Sequence, residues 1–383
     1  MLPFTYAVRN LFRSKMRLLQ TVGGSFLVVL LVMTAVSINE GMTRMLSASG
    51  SVHNVILVGT GSEESIQRSE VPEKSAGIAG AVISGISEEL GVRAVSSEIQ
   101  HMSYVTVTGN NRAQALLRGV TPVSFRTHPE VRLLSGGFPA SGQVMVGRLA
   151  WRKLNVPSHN LEPGQTLEID DLKFSISGVF AAPGTVMESE IWMPLSDLRV
   201  LAKRDSLSCV VLRLEDPEDF SEAELFTKQR LDLELNALRE SEYYAHITAF
   251  FRPVRGMIWV TVILIAVGAV FGGVNTLYAA FASRVREMAT LQAIGFGRTT
   301  LLFSLIQESL LACLTGTLLA SFIALFLLEG KTVPFSIGAV VLEVSPLVSF
   351  VGILTGFLLG VLGALPPAIR CLKPLLGTAL RSS

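Results

Sequence analysis

Residues 256–283 read GMIWVTVILIAVGAVFGGVNTLYAAFAS, 28 positions between Arg255 and Arg284 without one Asp, Glu, Lys or Arg. The hydrocarbon core of a bilayer is about 30 Å thick, and about 20 apolar residues of helix cross it. A buried core helix is the competing reading, but so long an uncharged run is foreign to soluble folds. The stretch predicts a transmembrane helix over 256–282.

Three further runs share this character. Positions 18–39 hold 22 uncharged residues between Arg17 and Glu40, with Phe26 to Met33 apolar throughout. The run from Arg298 to Glu329 is interrupted only by Glu308, and 26 uncharged residues separate Glu343 from Arg370. They predict helices over 18–39, 300–328 and 346–366. The first is too long for the apolar part of a signal peptide, which spans about 7–15 residues, and no A-x-A site follows it. The whole chain of 383 residues is 49% hydrophobic and 16% charged, against about 25% charged in a soluble domain. With a mean hydropathy of +0.49, this excludes a wholly soluble or a disordered protein. A formal net charge of +1 argues against nucleic-acid binding. Cys209, Cys313 and Cys371 lie too far apart for a metal, redox or disulfide framework.

Flanking charges predict the orientation. Arg9, Arg13, Lys15 and Arg17 precede the first helix; Arg284, Arg286 and Arg298 follow the second; Arg370, Lys373 and Arg381 follow the fourth. The only acid in these three segments is Glu287. Both termini of this multi-pass chain are expected in the cytoplasm. The elbow 1–17, link 283–298 and tail 367–383 fall inside; residues 40–252 and the short loop 329–345 fall outside.

Residues 40–252 carry 27 acids and 20 bases and read as an α+β domain. Strands are expected at Val52–Val58, Tyr104–Thr108, Ala115–Val120, Val144–Val146, Leu167–Ile169, Phe174–Phe180, Ile191–Pro194 and Cys209–Leu214, with a turn at Gly109-Asn110-Asn111. Helices are expected over 73–90, over 150–154, from a cap at Ser196 or Asp197 to about Ala202, and over 219–238. Breaks near 124 and 205 mark residues 125–204 as a subdomain inserted into the first. The five histidines show no metal-site spacing, and neither a G-x-S-x-G elbow nor a phosphate-binding G-x-x-x-x-G-K-[ST] loop occurs. The pairs Asp170-Asp171 and Glu63-Glu64 read as solvated turns, and Cys209 as a buried inert thiol. No catalytic or metal-binding residue is assigned.

Small residues recur at four-residue spacing: Gly268 and Gly272; Ala312, Gly316 and Ala320; Gly352, Gly356, Gly360 and Ala364. Such a face lets helix backbones approach closely, either within one subunit or in a dimer. Glu308, beside Gln307, is costly at membrane depth and calls for a polar partner; Asn275 suits an interhelical hydrogen bond.

The link reads Ser283-Arg-Val-Arg-Glu-Met-Ala-Thr-Leu-Gln-Ala-Ile-Gly295. Val285, Met288, Ala289 and Ala293 share one helical face, widened by Leu291, Ile294 and Phe296, and Gly295 and Gly297 suit helix stops. Residues 4–17 are a second amphipathic candidate, with Phe4, Val8, Leu11 and Phe12 among Arg9, Arg13 and Lys15.

The order of one helix, a large outer domain and three more helices, joined to this link, resembles the FtsX-like ABC transporter permeases. These are the MacB and lipoprotein-releasing, or mechanotransmission, class. Tyr6 to Arg17 is similar to the family's elbow, and Val144 to Gly147 with Ala150, Leu154 and Gly164 to its inserted subdomain. Glu308 matches an acidic position, and Pro367 to Arg370, Pro374 and Leu380-Arg381 resemble the family's ending. Gln143 stands where the family often has Glu. The chain resembles the stand-alone permease branch, for which a separate ATPase subunit is expected. The resemblance implies a MacB-like periplasmic core domain and a permease of the cell (inner) membrane that is not itself an enzyme. It binds no cofactor; ATP and Mg belong to a separate cytoplasmic ATPase. Other implied partners are a second permease copy, membrane lipid and a periplasmic adaptor or carrier. The link becomes a coupling helix, with Arg284, Arg286 and Glu287 as polar contacts and Met288, Leu291, Ala293, Ile294 and Gly295 completing the seat. The second helix, continuing from the region of Tyr243 to Phe251, would carry motion outward to drive efflux or lipoprotein release. Regulation of a cell-wall hydrolase without transport is the alternative. A membrane-bound enzyme with its site in 40–252 is a third reading that no acid–base cluster supports.

Overall fold

Uncharged runs give the longest elements, and alternating or doubly apolar runs give the strands between them. The computed structural model describes residues 4–13, 15–107, 111–335 and 338–372. The expected turn at Gly109-Asn110, the flanking base Lys373 and the matches at Pro374, Leu380 and Arg381 lie outside the described residues, as do the side chains of Phe4, Tyr6, Phe12 and Arg17. In chain order the elements are α1 (Phe4–Arg13), α2 (Lys15–Ala48), β1 (Asn54–Gly59), α3 (Lys74–Val82), β2 (Glu88–Glu89), β3 (Val92–Arg93), β4 (Val95–Val107), β5 (Asn111–Val120) and α4 (Ser124–Thr127). They continue with β6 (Arg132–Gly136), β7 (Gln143–Gly147), α5 (Ala150–Leu154), β8 (Thr166–Ile169), β9 (Leu172–Ala181), β10 (Ile191–Pro194), α6 (Leu195–Leu201), β11 (Cys209–Arg213), α7 (Phe220–Gln229), β12 (Leu235–Arg239) and α8 (Glu240–Phe250). The last are α9 (Arg252–Ala282), α10 (Val285–Ala293), α11 (Arg298–Leu327), β13 (Thr332–Pro334), β14 (Ala339–Val341) and α12 (Pro346–Cys371).

Among the described residues four helices are long and apolar enough to cross a membrane: α2 from Leu18, α9, α11 and α12. The chain divides into two compact units. The helical unit comprises residues 1–40, 253–331 and 342–383; the mixed unit comprises residues 41–252 and 332–341. The first helix runs nine residues past the expected end at 39, because Glu40 and Arg44 end the uncharged run without ending the helix.

Within the helical unit, small residues set the packing. In lipid no hydrophobic force draws helices together, so close backbone contact must do so. A Cβ on Gly316 would stand 2.5 Å from the backbone oxygen of Val22 on α2, and one on Gly360 would stand 2.9 Å from Leu310 Cα on α11. Gly352 packs on Met33 and Gly356 on Thr317 in the same way. Gly268 and Gly272 differ: a Cβ there would meet nothing within 4 Å. Only Val262, Leu277, Ala280 and Phe281 of α9 are buried.

The mixed unit is built on one ten-stranded sheet, in the order β12-β1-β11-β4-β5-β10-β7-β9-β6, with β8 pairing β4 and β9. The β5–β10 and β7–β9 pairs are parallel and the rest antiparallel. Strand β1 reads as a continuous apolar run because both its faces are covered. Val55 and Leu57 pack with Val210 and Leu212 on one side; Ile56 and Val58 pack with Cys209 and Val211 on the other.

Several expectations are corrected. Strands β6 to β10, within the expected insert 125–204, share one sheet with the rest of the unit, because the 13-residue β4 pairs β11 at its start and β8 at its end. The helix expected over 73–90 ends at Val82, because Leu90 and Gly91 take positive φ and turn Glu88–Glu89 back onto Val92–Arg93. The helix expected to reach 238 stops at Gln229, since β1 captures Leu235–Arg239 as an edge strand. Asp197 does not cap α6; it accepts hydrogen bonds from Gly142 N at 2.7 Å and Ser141 Oγ at 3.0 Å. Part of the 329–345 loop, the β13–β14 pair, belongs to the mixed unit, where Lys153 Nζ donates to Phe335 O at 2.6 Å.

Candidate functional site: the link between α9 and α11

The link folds into α10 because apolar residues recur at helical spacing and a glycine ends it. Gly295 lies at φ +106°, Phe296 N donates to Leu291 O at 3.1 Å, and Gly295 N donates to Gln292 O at 3.0 Å. This pair of bonds is a Schellman stop, and its left-handed position suits glycine. Gly297 then stands at the N-cap position of α11.

Helix α10 has two unlike faces. Met288 and Ala289 are buried; Met288 packs in a cluster with Leu277, Phe281, Leu301, Leu305 and Ala368. Leu291 leans half-buried on that cluster. Arg286, Thr290, Ala293, Ile294 and Gly295 are exposed, Ile294 at 71%. The eight link residues expected to act together thus divide, and Arg284 and Met288 turn inward.

The inward polar partner is Glu308. It is buried ten residues into α11, where an ionised carboxyl needs compensation. Arg284 Nη1 donates to its Oε2 at 2.9 Å and to its Oε1 at 3.3 Å, and Asn10 Nδ2 of α1 donates to Oε2 at 2.6 Å. Arg284 Nε also donates to Glu287 Oε2 at 3.2 Å, and Arg13 Nη1 of α1 donates to Glu287 Oε1 at 2.6 Å. Partial burial opposes charge on Glu287, but the Arg284 and Arg13 guanidiniums outweigh it and hold its carboxyl below the usual range. The two carboxylates therefore fasten α1, α10 and α11 together. Removing one partner of a buried ion pair costs about 3–5 kcal/mol.

A cavity of about 660 Å³ opens beside this cluster, lined by Asn10, Arg13, Gln20, Asn275, Arg284 and Glu287 among others. Asn275 lines this cavity, while Gln307, next to buried Glu308, is exposed. The three intramembrane polar positions are not brought together. Asn10 and Arg13 were missing from the expected site. A signal for Asn10 was present, since an intramembrane carboxylate demands a donor, whereas nothing in the sequence pointed Arg13 to Glu287.

In the mixed unit, Cys209 is buried and burial pushes its thiol well above the ordinary range. Asp170 and Asp171 both take positive φ in the β8–β9 turn. Among the described residues no group of three or more His, Cys, Asp or Glu is disposed to hold a metal ion.

Comparison with known families gives two matches that together span most of the chain. The family described as MacB-like periplasmic core domain matches residues 18–225, and that described as FtsX-like permease C-terminal matches residues 259–374. Among solved structures, the periplasmic region of MacB from Actinobacillus actinomycetemcomitans is 14% identical with a TM-score of 0.40; the match covers 52% of this chain and 94% of that one. The extracellular domain of the noncanonic ABC-type transporter YknZ from Gram-positive bacteria is 11% identical with a TM-score of 0.38, covering 48% and 99%. Comparison with curated protein sequences gave no match.

Proposed function

Because the chain belongs to the FtsX-like ABC permeases with a MacB-like periplasmic core domain, we propose that it is driven by a separate cytoplasmic ATPase seated on α10. The outward face of α10, with Arg286, Ala293, Ile294 and Gly295, is the seat. ATP and Mg are held by the ATPase, and this chain contributes movement. The observation that carries the reading is the two-sidedness of α10: one face is fastened to the bundle through Arg284 and Glu308, and the other is exposed and apolar at its end. A force applied to such a helix reaches α1 and α11 without loss in a loose loop.

The largely exposed surface of α9 leaves room for a second permease copy near Gly268, whereas Gly272 borders a cleft shared with Gly24 and Val28 of α2. Both termini and α10 lie in the cytoplasm, on the charge asymmetry of the flanking segments. Helix α9 follows α8 in the chain, and the mixed domain acts on a substrate or a protein partner outside the membrane.

Affinity purification of the tagged full chain tests the reading. It should recover a soluble ATPase whose turnover rises in the complex, and Ile294→Glu should abolish both. Recovery of the same ATPase with Ile294→Glu, at unchanged turnover, would remove α10 as its seat.

A further inference from the structure

His128 is fully buried in the mixed domain and faces charged groups from several elements. Its Nε2 lies 2.9 Å from Glu98 Oε1 of β4, and its Nδ1 lies 3.5 Å from Glu130 Oε1 and 4.0 Å from Glu240 Oε1, the first residue of α8. Beyond Glu98, Arg118 of β5 donates from Nη1 to Glu98 Oε2 at 2.6 Å and from Nε to Glu190 Oε2 at 2.7 Å. Glu190 also accepts from Trp192 Nε1 of β10 at 2.8 Å.

The other end of this chain of charges meets the segment that follows α2. Glu240 Oε2 accepts from Ser51 N at 3.1 Å and from Asn54 Nδ2 at 2.9 Å, and Asn54 also donates to Thr127 O at 2.9 Å. Gly50 lies so close that a Cβ there would stand 2.7 Å from Ser241 Cα. Arg213 of β11 completes the surround, its Nη1 donating to Asn54 Oδ1 at 3.3 Å. Glu98, Glu190 and Glu240 are thus buried with Arg118 and His128, with half-buried Glu130 and Arg213 at the edge of the cluster, and Tyr244 lies near Arg118 and Glu240.

We propose that His128 and Glu240 form an ionic joint that ties the segment after α2 and the start of α8 to strands β4, β5 and β10, so that displacement of either helix is carried into the sheet. The role of the joint is to position elements. Helix α8 is the element from which the spanning helix α9 continues after Phe251, so the joint sits where the chain enters and leaves the sheet. A surface contact would slip under load; a buried ion chain resists because separating its members strands charges away from water. The proposal concerns this domain's own mechanics and stands whichever ATPase or cargo the permease serves.

Hydrogen–deuterium exchange of the full chain in lipid nanodiscs tests it. In His128→Gln, peptides covering 240–250 and 49–54 should exchange about ten-fold faster, with 132–136 and 172–181 at the far edge of the sheet unchanged. Unchanged exchange at 240–250, or equal acceleration of every strand, overturns the proposal. Glu240→Gln, which keeps an acceptor for Asn54 while removing the charge facing His128, gives the same comparison if the first variant does not fold. In the wild type, the same two segments should lose protection, after correction for intrinsic exchange, as pH rises from neutral to about 10, where His128 gives up its proton. A profile as flat as that of 132–136 overturns it.

Discussion

Arg284 and Glu308 lie 2.9 Å apart on either side of the α10 link, and that one ion pair turns a connector into a fastened lever. Both side chains are nearly removed from solvent, so each depends on the other. Glu308→Ala should lower the unfolding free energy by about 3–5 kcal/mol, because it leaves a buried guanidinium without its main acceptor. Exchanging both residues for methionine should recover much of that loss. Denaturant unfolding of the purified chain in detergent measures both, and a single variant as stable as the wild type would show that the pair holds nothing.

The glycines separate into two classes by what surrounds them. Gly316→Leu and Gly356→Leu should cost about 1–3 kcal/mol or more and reduce folded yield, since each forces α11 away from a neighbouring helix. Gly268→Leu should leave yield and thermal stability unchanged, because nothing lies within 4 Å. Its effect should be on self-association, read by cross-linking in membranes.

Stability of the mixed domain should depend on pH from both sides. Burial opposes the charge on His128, but Glu98, Glu130 and Glu240 raise it from 6.5 to about 10. Its stabilising contribution is therefore complete below 6.5 and lost as pH rises through about 10. Burial likewise opposes charge on Glu98, yet His128 and Arg118 bring it from 4.5 down to about 2, so its contribution is complete above 4.5 and lost as pH falls through about 2. Glu240 is shifted the other way from Glu98, raised by burial, so its contribution begins to fall as pH rises above 4.5. Thermal melts across pH should show the highest transition temperature in the mildly acidic range, and His128→Gln should flatten the alkaline limb.

Weakening the clasp on the α11–α12 loop should be a local event. Lys153→Met removes the donor to Phe335 O while keeping the length of the side chain. Proteolysis near 332–341 should then accelerate several-fold, at unchanged overall transition temperature.

Four spanning helices were legible because long uncharged runs have no other use. The extra turns of α2 were not, since Glu40 and Arg44 mask a helix that continues past them. Glu308 announced itself by its cost in lipid, but its partners did not: Asn10 and Arg284 reach it from other elements, and distance in sequence hides that meeting. Spacing could place glycines on one face yet not say which faces are covered, so Gly268 and Gly316 read alike and behave oppositely. His128 carried no motif, because Glu98, Glu130 and Glu240 gather around it only through the fold.

The place of β1 has a consequence for how the protein is made. Its partners are β11 and β12, which do not exist until synthesis has passed residue 209. Until then the segment NVILVG waits with both faces and both edges bare, a sticky strand in a half-finished chain. Non-local pairing of this kind folds slowly and exposes the nascent chain to aggregation. Strand β1 therefore finds its place only after residue 239 has emerged, which ties completion of this part of the sheet to the last stretch before α8.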